Sequence, residues 1–306
     1  MLSFSTGVDR TLISLLGAVV TASVLNGLIT EYYQAFTLLM LPLGIFGMAV
    51  STAAFPTMAE NVARGRLDRV RTTILETLRN IIFLSIPASI GLIVLGLTAI
   101  QVLLQHGAYT LADAEATAVP LACFAFGLAG LAAVEILTRA FYALRDSVTP
   151  VIVSVGQFIF KIALSLLLID LAVFGAQWGT GALALSTSIA GTIEAVILIW
   201  LLHKRLGGLQ LRTLVLFIGR VLVASAVMGV GLFIVRVILD LILSTNHDSL
   251  GFGDTLLAAI KLFIEMLVGV FIYIRAARML HIEEVQKFLE TGPVRRLLNR
   301  FKLTWG

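Results

Sequence analysis

The sequence predicts an all-α, polytopic membrane helix bundle of about eight transmembrane helices. Three observations predict it. Apolar runs recur along the chain, and each approaches the roughly 20 residues needed to cross about 30 Å of hydrocarbon. The runs are continuous rather than alternating with period two, so they do not read as barrel strands. Backbone groups in lipid must be satisfied within their own segment, which a helix achieves. Finally, basic residues gather in every second connection. Composition agrees: of 306 residues, 59% are hydrophobic and 13% charged, and the mean hydropathy is +1.02. Soluble domains run at about 45–50% apolar and about 25% charged.

Taken in order, the runs cover 8–30, 33–58, 80–105, 116–143, 148–171, 180–202, 213–243 and 255–280. The first resembles a signal peptide in its position, but it lacks a basic leader and is interrupted by Asp9 and Arg10, so it reads as part of a helix. The second contains Pro42 and Pro56, which remove helical hydrogen bonds and predict a kink. Gly44 and Gly47 in the same run offer a close helix approach. The fifth follows Asp146 and Ser147, either of which can cap it, with Pro150 suited to its first turn.

The net charge of +4 and pI near 9.5 would allow nucleic-acid binding, but the positions of the charges argue for topology instead. Arg64, Arg66, Arg69, Arg71 and Arg79 follow the second run, Arg139 and Arg145 the fourth, and Lys204, Arg205 and Arg212 the sixth. Arg275, Arg278, Lys287, Arg295, Arg296, Arg300 and Lys302 follow the eighth. Connections 106–115, 172–179 and 244–254 hold no Lys or Arg, and carry Asp113, Glu115, Asp248 and Asp254. The positive-inside rule then puts the C-terminus in the cytoplasm. Residues 294–305, mixing Arg and Lys with Leu, Phe and Trp, suit a short interfacial helix or a solvated tail.

Catalytic signatures are missing: no Gly-rich phosphate loop, HExxH or Ser/His/Asp set occurs. The lone Cys123 excludes an internal disulfide. His106, His203, His247 and His281 fall near run ends, as interfacial polar residues do.

Ionisable residues inside runs cost roughly 2.5–3.5 kcal/mol each on insertion scales, so each needs a reason. Asp9 lies in the first run, Glu194 in the sixth, and Arg220 and Arg236 in the seventh. Glu135 and Arg139, four apart in the fourth, share a helix face and can pair. Lys261 and Glu265 form the same spacing in the eighth. Lys161 sits about three turns into the fifth, too deep for easy snorkelling, whereas Arg139, Arg220 and Arg236 can reach headgroups. Charges that face one another across a bundle would define a polar cavity, and Arg139, Glu135, Lys161, Arg220 and Glu194 are the candidates.

Three stretches resemble one family. Leu41 to Glu60, LPLGIFGMAVSTAAFPTMAE, with Pro42, Gly44 and Gly47, looks like the eighth-helix signature of the MurJ/MviN lipid II flippases. His106 to Ala118, HGAYTLADAEATA, resembles that family's outer loop between helices nine and ten. Arg139 to Val151, RAFYALRDSVTPV, with Tyr142, Asp146 and Pro150, resembles the cytoplasmic loop between ten and eleven. Order and spacing match as well, to about residue 205.

The resemblance implies a member of the multidrug/oligosaccharidyl-lipid/polysaccharide exporter superfamily, with this chain equivalent to helices seven to fourteen of a fourteen-helix exporter. Residues 1–205 would form the C-terminal lobe, 206–280 two additional helices bordering a lipid-tail groove, and 281–306 a cytoplasmic basic tail. It implies transport of lipid-linked peptidoglycan precursor by alternating access, with no bond made or broken, in the bacterial inner membrane. Partners would be the lipid-linked oligosaccharide, membrane lipids, and an N-terminal lobe or another membrane protein. No cofactor is implied; coupling to sodium or protons is. Thr37 stands where members often carry an arginine, and Glu135 where some carry a lysine. Some members hold sodium among helices seven, eleven and twelve, where Asp9 and Ser165 align and Lys161 lies one turn away, so its ammonium could replace the ion. The competing readings are another exporter of the superfamily, moving drugs or a different polysaccharide precursor, and a non-transporting scaffold.

Overall fold

The computed structural model describes residues 11, 22–105, 109–168, 176–242 and 252–285. Its described elements are all helical: α1 (Ala22–Pro42), a π-helical segment (Leu43–Ala49), α2 (Val50–Ala63), α3 (Leu67–Leu104), α4 (Leu111–Phe126), α5 (Leu128–Ala143), α6 (Val148–Leu168), α7 (Ala176–Arg205), α8 (Leu211–Ile242) and α9 (Phe252–Met279). Among the described residues, six helices are long and apolar enough to span a membrane, or seven if the bent α4–α5 pair counts as one span.

The break expected between residues 30 and 33 is not there. Helix continues from α1 through α2 because no Gly or Pro interrupts 28–41, and Leu28, Tyr32, Ala35 and Leu39 are buried at helical spacing. Most of the expected first run, including Asp9, lies outside the described residues. At the prolines where a kink is expected, the helix passes through the π-helical segment after Pro42 and continues as α-helix through Pro56, and 27–63 forms one span. There a Cβ on Gly47 would lie 3.2 Å from the Ala132 Cα of α5, whereas Gly44 faces open space. Of the two glycines, Gly47 alone serves a close approach.

The arginine-rich stretch 64–79 is also mostly helix. Only Arg64–Arg66 turn the chain, because Val70, Ile74, Leu78 and Ile81 form a buried stripe threaded between the arginines. At 38 residues, α3 spans about 57 Å. It packs against α2, α4, α5, α8 and α9 and is the spine of the bundle.

α4 and α5 meet at 47°, and the bend at Gly127 is held by α7. Ser188 donates its hydroxyl to the Cys123 carbonyl at 2.7 Å and the Phe124 carbonyl at 3.1 Å. A Cβ on Gly130 would lie 2.6 Å from the Thr192 Oγ1 and 2.8 Å from its Cα, so the helices come this close because position 130 has no side chain. Tyr32 and Phe36 of α1 close the other side of α4 against Phe124.

Helices α2, α5, α7 and α9 end the same way. The second residue beyond each has a left-handed backbone: Gly65 (φ 67°), Arg145 (φ 58°), Gly207 (φ 72°) and His281 (φ 52°). The N–H groups of the following residues, Arg66, Asp146, Gly208 and Ile282, reach back to the carbonyls of Asn61, Phe141, His203 and Ala277, the Schellman closure. These ends share one pole of the bundle, stitched by cross-links. Arg71 of α3 donates to the Leu206 carbonyl, with its Nε at 2.7 Å. Arg205 pairs with Asp146, and Arg79 stands 3.9 Å from Glu284. Arg64, Arg145, Lys204, Arg205 and Arg278 therefore collect at helix C-termini, where the macrodipole favours positive charge. Residues 294–305 lie outside the described residues.

Candidate functional site

The charged residues of α5, α6 and α7 converge in part. Arg139 pairs with Glu135 at 2.5 Å and also bonds its backbone carbonyl at 2.9 Å, the i,i+4 pairing expected from spacing. Glu194 of α7, 7% exposed, accepts the Ser154 hydroxyl of α6 at 2.5 Å and lies within electrostatic reach of Glu135. Two carboxylates, one guanidinium and a hydroxyl thus share the junction of three helices.

Further along α6, Lys161 is 3% exposed and Ser165 fully buried. They continue the face of Ser154, since positions 154, 161 and 165 fall on one helical stripe. The Ser165 hydroxyl has no hydrogen-bond partner. The rest of α6 is outward apolar surface, with Val151, Ile152, Val155, Ile159 and Leu167 exposed. Arg220 does not join this group. It is exposed on α8, a helix that packs chiefly on α3 and α9.

The loop motif is built as its residues predict. Asp146 accepts the N–H groups of Val148 (3.2 Å) and Thr149 (3.0 Å), and the Thr149 hydroxyl at 2.7 Å. Pro150 follows, buried, and Tyr142 is exposed. Where the outer-loop motif lies, Thr110 and Asp113 form a reciprocal capping box that starts α4. His203 serves the chain turn, its Nδ1 accepting the Leu209 N–H at 2.8 Å.

Sequence reasoning missed Ser154, Ser188 and Asp240. It also paired Lys261 with the wrong carboxylate: Lys261 is ion-paired to Asp240 across the α8–α9 interface, while both Glu265 oxygens have no hydrogen-bond partner. The i,i+4 rule looks along one helix, and here a carboxylate on the neighbouring helix reaches the ammonium first.

A long-spined bundle of membrane-length helices with charged groups held at interior junctions is a multi-pass membrane protein. A sequence model of the family described as lipid II flippase MurJ matches residues 1–247, and the chain belongs to that family. It is 27% identical to a probable lipid II flippase MurJ of Bdellovibrio bacteriovorus over 266 residues, covering 87% of this chain and 48% of that protein. Its identity to the probable lipid II flippase MurJ of Vibrio cholerae is 30% over 223 residues, covering 72% and 41%. For the one of Thermotoga maritima it is 30% over 255 residues, covering 83% and 46%. The fold matches a solved lipid II flippase MurJ in an inward closed conformation, with a TM-score of 0.63 at 21% identity, over 92% of this chain and 53% of that one. The chain spans about half the length of the curated relatives it matches.

Proposed function

We propose that this chain is the C-terminal lobe of a lipid II flippase, carrying lipid-linked peptidoglycan precursor across the bacterial inner membrane by alternating access. One observation carries the reading. In a chain of the lipid II flippase family, Arg139, Glu135, Glu194 and Ser154 hold a polar junction where three apolar helices meet. A diphosphate-sugar headgroup needs such a junction, because ionic and hydroxyl groups are stripped of water inside the membrane and must be met by the protein. Arg139 would contact the pyrophosphate, Glu135 and Glu194 would hold the guanidinium and sugar hydroxyls, and the tail would stay in lipid along α8 and α9. Lys161 and Ser165 would form the ion-coupling end of the same stripe, with sodium or a proton as the coupling ion.

Alternating access takes two lobes rocking about a central site. The exposed apolar face of α6 is where the N-terminal lobe would sit, whether on the same polypeptide or a separate one. The basic pole of the bundle would face the cytoplasm. Rescue of a flippase-depleted strain by this chain, supplied together with an N-terminal lobe, tests the proposal. Wild-type chain should restore growth and Arg139→Gln should not, at equal membrane abundance. Failure of the wild-type chain to rescue, or full rescue by Arg139→Gln, would overturn it.

A further inference from the structure

The transport reading leaves four charged side chains of α8 and α9 unused, in the half of the pair away from the basic pole. Arg236 of α8 donates to the Val94 carbonyl of α3 at 2.5 Å and lies 3.9 Å from Asp240, one turn on. Asp240 also takes the ammonium of Lys261 from α9. Lys261 is 4% exposed and Glu265, one turn further, 0%. The last feels the charges of Lys261, Arg236 and Asp240, yet neither of its oxygens accepts a hydrogen bond. α3, the other helix packed on α9, offers no charged side chain between Arg79 and Gln105.

The bonding is lopsided. Two cations serve one carboxylate and one backbone carbonyl, and the second carboxylate is bare. Burial without hydrogen bonds favours the neutral acid, while two nearby cations favour the carboxylate. A group held between such opposed pressures changes its charge state when one cation moves, and Lys261 has two carboxylates within one turn of its own helix and its neighbour.

We propose that Glu265 is a proton-binding site whose filling is exchanged with the Lys261–Asp240 ion pair. Glu265 carries the proton while Lys261 rests on Asp240. When the ammonium turns to Glu265 the proton leaves to water, and Asp240 keeps Arg236 as its partner. Asp240, with a side chain 43% exposed, connects the buried group to the outer surface. The site is built by α8 and α9, with α3 supplying the Val94 carbonyl, and stands whatever the chain transports.

Dicyclohexylcarbodiimide tests it, since this apolar reagent adds to a protonated carboxylic acid and not to a carboxylate. The full chain in phosphatidylcholine vesicles is labelled from about pH 5 to about pH 9, the range over which a perturbed carboxyl titrates, and the adduct is located by peptide mass spectrometry. Glu265 should be modified, and its modification should fall several-fold as the pH rises. Asp240→Asn should release Lys261 to Glu265 and cut labelling several-fold at a given pH; Lys261→Met should move the fall to higher pH. Wild type alone is decisive if a variant fails to fold: an unmodified Glu265, or one modified equally at every pH, overturns the proposal. So does unchanged labelling in a folded Asp240→Asn variant.

Discussion

Arg205, the last residue of α7, is ion-paired to Asp146, whose carboxylate caps the start of α6. One side chain therefore fixes two helices at the basic pole. The Thr149 N–H and hydroxyl, and then Arg205, hold the Asp146 carboxyl below the usual aspartate range. Because the folded value is the lower one, the stabilisation is complete above the unfolded value and is lost as the pH falls through the folded value. Asp146→Ala should cost about 1 kcal/mol, the usual worth of a lost cap. Thermal unfolding in detergent should show a lower Tm for the variant near neutral pH, with the gap to wild type closing in acid. A gap that widens in acid would contradict this account.

The four Schellman closures differ in one respect: two place glycine at the left-handed position and two place arginine or histidine. A side chain costs roughly 1–2 kcal/mol in that conformation. Arg145→Gly should therefore stabilise the chain by about 1 kcal/mol, and Gly65→Ala should destabilise it by a similar amount. Parallel Tm measurements on the two variants, moving in opposite directions, would verify it.

The α4–α5 bend depends on Ser188 and on the close approach of Gly130 to Thr192. Ser188→Ala removes the hydroxyl that serves the Cys123 and Phe124 carbonyls, and should cost about 1 kcal/mol, in line with interhelical hydrogen bonds in membranes. Gly130→Val is the harsher change, because its side chain would occupy the space of Thr192. Overpacking of this kind costs about 1–3 kcal/mol. Denaturant unfolding in mixed micelles should rank wild type above Ser188→Ala, and Ser188→Ala above Gly130→Val.

What could be read from sequence was whatever depends on near neighbours. The Asp146 cap, the Pro150 first turn and the Glu135–Arg139 pair all lie within four residues of their partners, and each formed as expected. The continuous helix through Glu31 and Tyr32 was misjudged because a short polar patch resembles a loop when its buried face, Leu28 to Leu39, is not weighed by helical spacing. Arginines hid the stripe from Val70 to Ile81 in the same way. Contacts across the bundle were out of reach. Ser154 finds Glu194 forty residues away, and Asp240 claims Lys261 from the next helix. Nothing in local spacing distinguishes a serine that will meet a carboxylate from one that bonds its own backbone. Arg220 looked like a cavity residue because its helix is apolar; only the packing of α8 on α3 and α9 sets it apart.

The Glu135–Arg139 pair makes the last prediction, and its signature is non-additivity. Both side chains are about one quarter exposed, at 29% and 24%, so neither is fully solvated or fully stripped of water. Removing one partner leaves the other charge with Glu194 as its nearest charged neighbour. Arg139→Gln leaves two carboxylates facing each other at the α5–α7 junction, whereas Glu135→Gln leaves the guanidinium with Glu194 still near. The arginine variant should therefore be the less stable of the two. Neutralising both removes the repulsion as well as the attraction, so the double variant should lose less than the single losses combined. A coupling of about 1 kcal/mol is expected for a half-buried i,i+4 pair in contact. A double-mutant cycle on unfolding free energies measures it directly; strict additivity would mean that the 2.5 Å contact contributes nothing to stability.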